Sequence, residues 1–385
     1  FLIALGLIVL DQTILATALP VIASHFDAVS DLSWIASAYF LPQAAFMLFF
    51  GRILTVAPAK YVFLVTISLF ELGSLFCAIA PSVNFLIFGR AFAGLGASGL
   101  LVCDILSLRI STLIEPRWCF YINLPFGGVC VASIAVFLPK LAPDEDGKMA
   151  LNTWYSLDWI GTILSFAMVT FFLIPLQWGG VVKPWSSPIV IALLTLSGVF
   201  TVAFLLWEHH QEDGAMLPTS VFFQRNIFCV CFFGGLSFVL VSVSMSANFC
   251  RNPIFYQSKG HSAVKSGVDI LPFIIVTSCQ GLFLQSECQK TGYAWPFVLL
   301  CPMIASAGFG LLYTAQAQTD LHRIIGYQIL VGVGIAGSIQ LPMVIAQGRV
   351  SHDAKLISIV TSLVSFSQLM GCTVGLAYAL LNPYL

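Results

Sequence analysis

Apolar runs follow one another along most of the chain, near residues 1–23, 34–54, 61–80, 84–107, 119–139, 158–177, 187–207, 227–249, 268–286, 297–315, 324–346 and 356–381, each bounded by charge, Pro or Gly. Each is about twenty residues long, and a helix of that length spans the hydrocarbon of a bilayer. The pattern predicts an all-α membrane protein with about 12 transmembrane helices. The most polar stretches are Pro139 to Leu157, with Asp144, Glu145 and Asp146, and Glu208 to Asn226, with His209, His210, Gln211, Glu212 and Asp213. They bracket one pair of spans and read as connectors.

Internal repetition refines this layout. Arg90, Gly94, Gly96 and Gly99 recur in form as Gln328, Gly332, Gly334 and Gly337, and Gly51 with Lys60 recurs as Gly281 with Lys290. Two related halves are implied. The organisation expected is an N-terminal bundle over 1–139, a connector with two additional helices over 140–226 and a C-terminal bundle over 227–385. A G-x-G-x-x-G inside a membrane-length run, with no strand before it, is no dinucleotide fingerprint. Small residues at that density let helix backbones approach closely instead.

Composition agrees with the pattern. Hydrophobic residues make up 59% and charged residues 9% of the chain, against about a quarter charged in soluble domains. The net charge of -1 leaves no basic footprint for nucleic acid, so the partners implied are the lipid bilayer and a small solute. The eleven cysteines are scattered through apolar runs, without ligand-like spacing, and read as core hydrophobes. No metal and no cofactor are implied, and no set of intramembrane side chains has catalytic spacing, so an enzyme is not expected. The chain opens at Phe1 within its first apolar run; that run reads as part of a span rather than as a cleaved signal peptide, and the chain as a fragment.

Within the first run stands Asp11. A carboxylate in hydrocarbon costs several kcal/mol unless it faces a cavity or a partner, which makes it a functional candidate by default. Glu71 and Arg90 are the matching charges in the third and fourth runs.

Several segments together resemble the major facilitator superfamily, in particular its fungal fourteen-span drug:proton antiporters of the toxin-efflux type. Leu10-Asp11-Gln12-Thr13-Ile14 through Ala18-Leu19-Pro20 is similar to that family's first-helix signature. Phe70-Glu71-Leu72-Gly73-Ser74 resembles its third helix, and Gly89-Arg90-Ala91 with Gly94 and Gly96 its fourth. Arg117 through Pro125 resembles the start of its sixth helix, Gln177-Trp178-Gly179-Gly180 the end of its seventh, and Gln328 with Gly332, Gly334, Gln340, Pro342 and Gln347 its twelfth. The resemblance implies two pseudo-symmetric helix bundles. It also implies a proton-coupled exporter of small amphipathic compounds such as toxins, secondary metabolites or drugs, working as a monomer in the plasma membrane or a vacuolar membrane. An uptake carrier, for a siderophore or a sugar, and a truncated product without transport activity are the alternatives.

Two departures from the family pattern stand out. The loop expected between the second and third helices, Gly-x-Leu-x-Asp-x-x-Gly-Arg-Lys in the family, reads Gly51-Arg52-Ile53-Leu54-Thr55-Val56-Ala57-Pro58-Ala59-Lys60. The fifth-helix motif is missing, because the fourth run ends at about Leu108 and the sixth-helix signature starts at Arg117; the fourteenth helix is missing too. About ten residues, reaching roughly 35 Å, cannot cross lipid as bare extended backbone. Either everything downstream is inverted or the fourth helix is distorted, and the Lys and Arg bias at span ends does not choose between these.

Proton coupling needs an acid that takes up a proton on one side and releases it on the other; burial favours the neutral carboxyl and a nearby guanidinium favours the carboxylate. Asp11 is the expected titrating group, Arg90 its tuning partner and Glu71 a second acid. A static pair between Arg90 and one carboxylate is the plainer reading. Asp104 lies fourteen positions beyond Arg90, roughly 20 Å along the helix, where a latch with Arg52 or Lys60 beside Gly51 is expected. For the substrate cavity, near the midplane between the halves, the resemblance points to Asn123, Gln328, Gln340 and Gln347. Position adds Tyr39, Phe46 and Phe92.

Overall fold

The computed structural model describes Ile8, Asp11 and residues 32–104, 158–180, 183–211, 215–246, 271–291, 293–314, 319–350 and 354–381. Asn123, the sixth-helix signature and the apolar run 119–139 lie outside the described residues, as does most of the first run. Ten long helices account for nearly all that is described: α1 (Leu32–Val56), α2 (Ala59–Ala78), α3 (Val83–Asp104), α4 (Trp159–Trp178), α5 (Pro188–Gln211), α6 (Arg225–Ser246), α7 (Leu271–Thr291), α8 (Trp295–Tyr313), α9 (Leu321–Arg349) and α10 (Ala354–Leu381). Nine of them are long and apolar enough to cross a membrane. The other, α7, has the length of a span but carries Gln285, Ser286, Glu287, Gln289 and Lys290 in its last two turns. Helix is the form that lets each span satisfy its own backbone in lipid, and it tolerates Pro42, Pro175, Pro302 and Pro342 within these spans.

One helix boundary differs from the family-based expectation. The segment from Gly51 was expected as the loop between the second and third helices, yet α1 continues to Val56 and only Ala57 and Pro58 separate it from α2. With the family's acid and second glycine replaced by Ile53-Leu54-Thr55-Val56, nothing stops the helix before Pro58, which cannot continue it.

The chain forms two compact units, residues 1–224 with 352–366 and residues 225–351 with 367–385. In the first, α3 packs on both α1 and α2. A Cβ on Gly94 would run into the carbonyl of Tyr39, and one on Gly96 into the backbone of Phe70. In the second unit, α9 packs on both α7 and α8. There a Cβ on Gly332 would meet the carbonyl of Phe273 at 3.1 Å, and one on Gly334 would run into the backbone of Ala305. The glycine motif repeated in the sequence thus does the same job twice: its first member faces one neighbouring helix and its second the other, with no side chain between backbones.

Pairings inside the first unit fix the direction of each helix. Tyr39 lies beside Gly94 and Phe50 beside Gly99, so α1 and α3 run parallel. Ala45 accepts a hydrogen bond from Ser165, Phe46 meets Phe166 and Phe49 meets Trp159, so α4 runs antiparallel to α1. Ser197 donates to the carbonyl of Met168 and the Trp207 indole donates to Asp158 at the head of α4, so α5 turns back along α4. The ends of α1, α3 and α5 and the starts of α2 and α4 therefore share one face. Of the two explanations left open for the short join after α3, inversion is not what α4 and α5 show: the chain leaves α3 and enters α4 on the same side.

Apolar side chains that no neighbour covers concentrate on α4, α5 and α8, where Ile163, Val199, Leu206, Trp295 and Met303 are all exposed. Only 17% of the α5 span is buried, against 61% of the α3 span. Such a surface is at rest only in lipid.

Candidate functional site

Arg90 sits midway along α3, where Gly89, Gly94 and Gly96 bring the backbones of α1 and α2 close. Its side chain is 1% exposed. Nη1 donates to Asp11 Oδ2 at 2.6 Å, and the other face of the guanidinium lies over the Tyr39 ring, 4.4 Å from its centroid. An ion pair this deep repays its desolvation only when its geometry is good, and here a short charge-assisted bond and an aromatic face serve the one cation. Asp11 is 2% exposed, and its Oδ1 has no partner among the described residues.

Glu71, on α2, lies within electrostatic reach of Asp11. Both of its carboxylate oxygens are buried without a hydrogen-bond partner among the described residues. The arrangement is chemically unbalanced: of the two acids, only Asp11 is paired with the guanidinium.

Gln43 joins this group although sequence reasoning passed over it. It stands one turn beyond Tyr39 on α1, is fully buried, and neither end of its amide has a partner among the described residues. Residues four apart share a helix face, and a polar side chain inside an apolar span is itself a signal of function. Those two rules together would have found it.

The remaining candidates are dispersed. Phe46 packs against Phe49 and Phe166 where α1 meets α4, and Phe92 belongs to an aromatic cluster with Phe76 and Phe88 on α2 and α3. In the second unit Gln328 is buried on α9, Gln340 lies beside Gly281 and Gln347 is half-buried near the end of the helix. A cavity of about 240 Å³ in this unit is lined by Ser237, Val241, Pro302, Phe309, Ile335 and Ser338, none of them among the expected cavity residues. Gly51 lies against Ser362. Arg52 accepts a hydrogen bond from Thr55 at its carbonyl, and its charge reaches Glu208 at the end of α5. The backbones of Lys60 and Asp104 are helical, and their side chains lie outside the described residues.

Two family profiles match successive parts of the chain. The profile of the Major Facilitator Superfamily matches residues 1–104, which hold Asp11, Glu71 and Arg90, and that of the fungal trichothecene efflux pump matches residues 100–259. An MFS-type transporter of Penicillium ochrochloron, ptmT, is 34% identical, with 93% of this chain and 68% of that one aligned. The chain belongs to the major facilitator superfamily. Its relatives within the superfamily are fungal: efflux pump aflT of Aspergillus parasiticus is 32% identical over 96% of this chain and 77% of its own, and the aspyridones efflux protein of Neocamarosporium betae is 34% identical over 97% and 71%. This facilitator chain spans about two thirds of the length of the Penicillium relative. Their alignment runs over 392 positions while taking in 93% of 385 residues, so the relative carries internal residues with no counterpart here.

Proposed function

We propose that this facilitator chain exports small amphipathic compounds, of the toxin or secondary-metabolite class, from a fungal cell in exchange for protons. The observation that carries the reading is the buried Asp11–Arg90 pair under Tyr39, with Glu71 beside it holding no hydrogen-bonded partner among the described residues. In this reading Asp11 takes up the proton, which frees Arg90; Glu71 is the second acid to which the guanidinium can turn. Gln43, fully buried and one turn from Tyr39, offers a hydrogen-bonding amide on the same face of α1. The matches to fungal efflux pumps support export as the direction. The exporter acts as a monomer in the plasma membrane or a vacuolar membrane.

The test uses inside-out vesicles carrying the full chain, an imposed proton gradient and a panel of amphipathic fungal toxins. Uptake that collapses with the gradient and is abolished by Asp11→Asn is the expected result. Uptake with an unchanged pH dependence in Asp11→Asn would overturn the role of Asp11. Absence of uptake of every compound, with no protection of expressing cells, would overturn export.

A further inference from the structure

A second pair of buried acids lies at the face where α4 begins and α5 ends. Asp158 caps α4: its Oδ1 accepts from the Gly161 backbone N–H at 2.7 Å and from the Trp207 indole at 2.8 Å. Glu208, on the last turn of α5, is wholly buried, and its Oε2 accepts from the Leu217 N–H at 2.7 Å. Each acid has used one oxygen. The other two, Asp158 Oδ2 and Glu208 Oε1, are buried with no partner among the described residues.

Both orphan oxygens point at one place. A Cβ on Gly161 would collide with Asp158 Oδ2 and lie 2.9 Å from Glu208 Oε1, so the two carboxyls converge in space that only glycine leaves open. Two buried carboxylates side by side do not both stay ionised. A metal cation would need six or so oxygens around it, and among the described residues these two carboxyl oxygens stand free. A proton needs only these two.

We propose that Asp158 and Glu208 bind one proton between them, forming an acid-pair site distinct from Asp11 and Glu71. Occupied, it ties the head of α4 to the end of α5, where Glu208 also holds the Leu217 N–H. The charged groups facing Glu208 are Asp158 from the head of α4 and Arg52 from α1; His209 and His210 follow it on α5 itself. No transported compound enters this proposal, so it stands or falls apart from the export reading.

The sign follows from linkage: a folded state that binds a proton the unfolded chain has released loses stability as pH rises. The test is made on the full chain in lipid nanodiscs, in a Glu71→Gln, His209→Gln, His210→Gln background that removes the unpaired acid beside Asp11 and the two histidines that follow Glu208. The infrared band of a protonated carboxyl should vanish on Glu208→Gln. The thermal midpoint, which falls with rising pH in the background, should stay near its acid-side value in Glu208→Gln. Asp158→Asn should also remove the band, which keeps the test open if one variant fails to fold. A band untouched by either substitution overturns the site. So does a midpoint raised by sodium or potassium over choline at equal ionic strength, which would assign the pocket to a metal cation.

Discussion

Arg90 lies over the ring of Tyr39, its guanidinium carbon 4.4 Å from the ring centroid, and both side chains are buried. A cation over an aromatic face gains about 0.5–2 kcal/mol, most when desolvated. Tyr39→Phe keeps that face and should leave stability within about 1 kcal/mol, whereas Tyr39→Ala loses the cation–π contact and opens a core cavity, at about 3–5 kcal/mol. Chemical denaturation in detergent micelles separates the two; equal losses in both variants would mean that the hydroxyl, not the ring, matters.

Removing one member of the Asp11–Arg90 pair strands the other. Arg90→Ala leaves a buried carboxylate without its cation, a loss of about 3–5 kcal/mol. Arg90→Leu combined with Asp11→Leu removes both charges and should recover much of that stability while abolishing proton-driven transport. A double variant as unstable as Arg90→Ala would show that the pair does more than neutralise itself.

Glycines 96 and 334 hold equivalent places, one against the backbone of Phe70 and the other against that of Ala305. Leucine at either should push two helices apart and prevent accumulation of folded protein, measured as monodisperse material after extraction. Gly198 and Gly310, with open space around them, provide controls in which leucine should be tolerated.

The helix directions make a labelling pattern. With single cysteines on a cysteine-free background, Trp159→Cys and His210→Cys should react with a membrane-impermeant reagent from one side, and Ser82→Cys and Ser186→Cys from the other. Trp159 and Ser82 labelled from the same side would contradict the antiparallel packing of α1 and α4.

Much of this was legible in the sequence because lipid imposes few choices. Runs of span length had to be helices, and the repeated glycine motif had to mark close backbone contact, because neither depends on the rest of the fold. Asp11 and Arg90 could be named because a charge in hydrocarbon needs a partner. What stayed hidden depended on register between distant segments. Nothing local in Asp158 or Glu208 says that their free oxygens meet over Gly161; Glu208 read as a connector charge and Asp158 as the first residue of an apolar run. Gln43 was obscured by the apolar company of its run, and α1 continued past Gly51 because a family-derived loop was expected where this sequence has no residue that stops a helix before Pro58.

The glycine seams of α3 and α9 carry a mechanical consequence. Side chains that interdigitate can change rotamer and let helices slide by small steps, but backbone against backbone offers no such gearing. Separating α3 from α1 and α2, or α9 from α7 and α8, means giving up the whole line of contact at once. Each trio therefore moves as a single stiff body, and any flexing that accompanies transport has to be sought outside these seams.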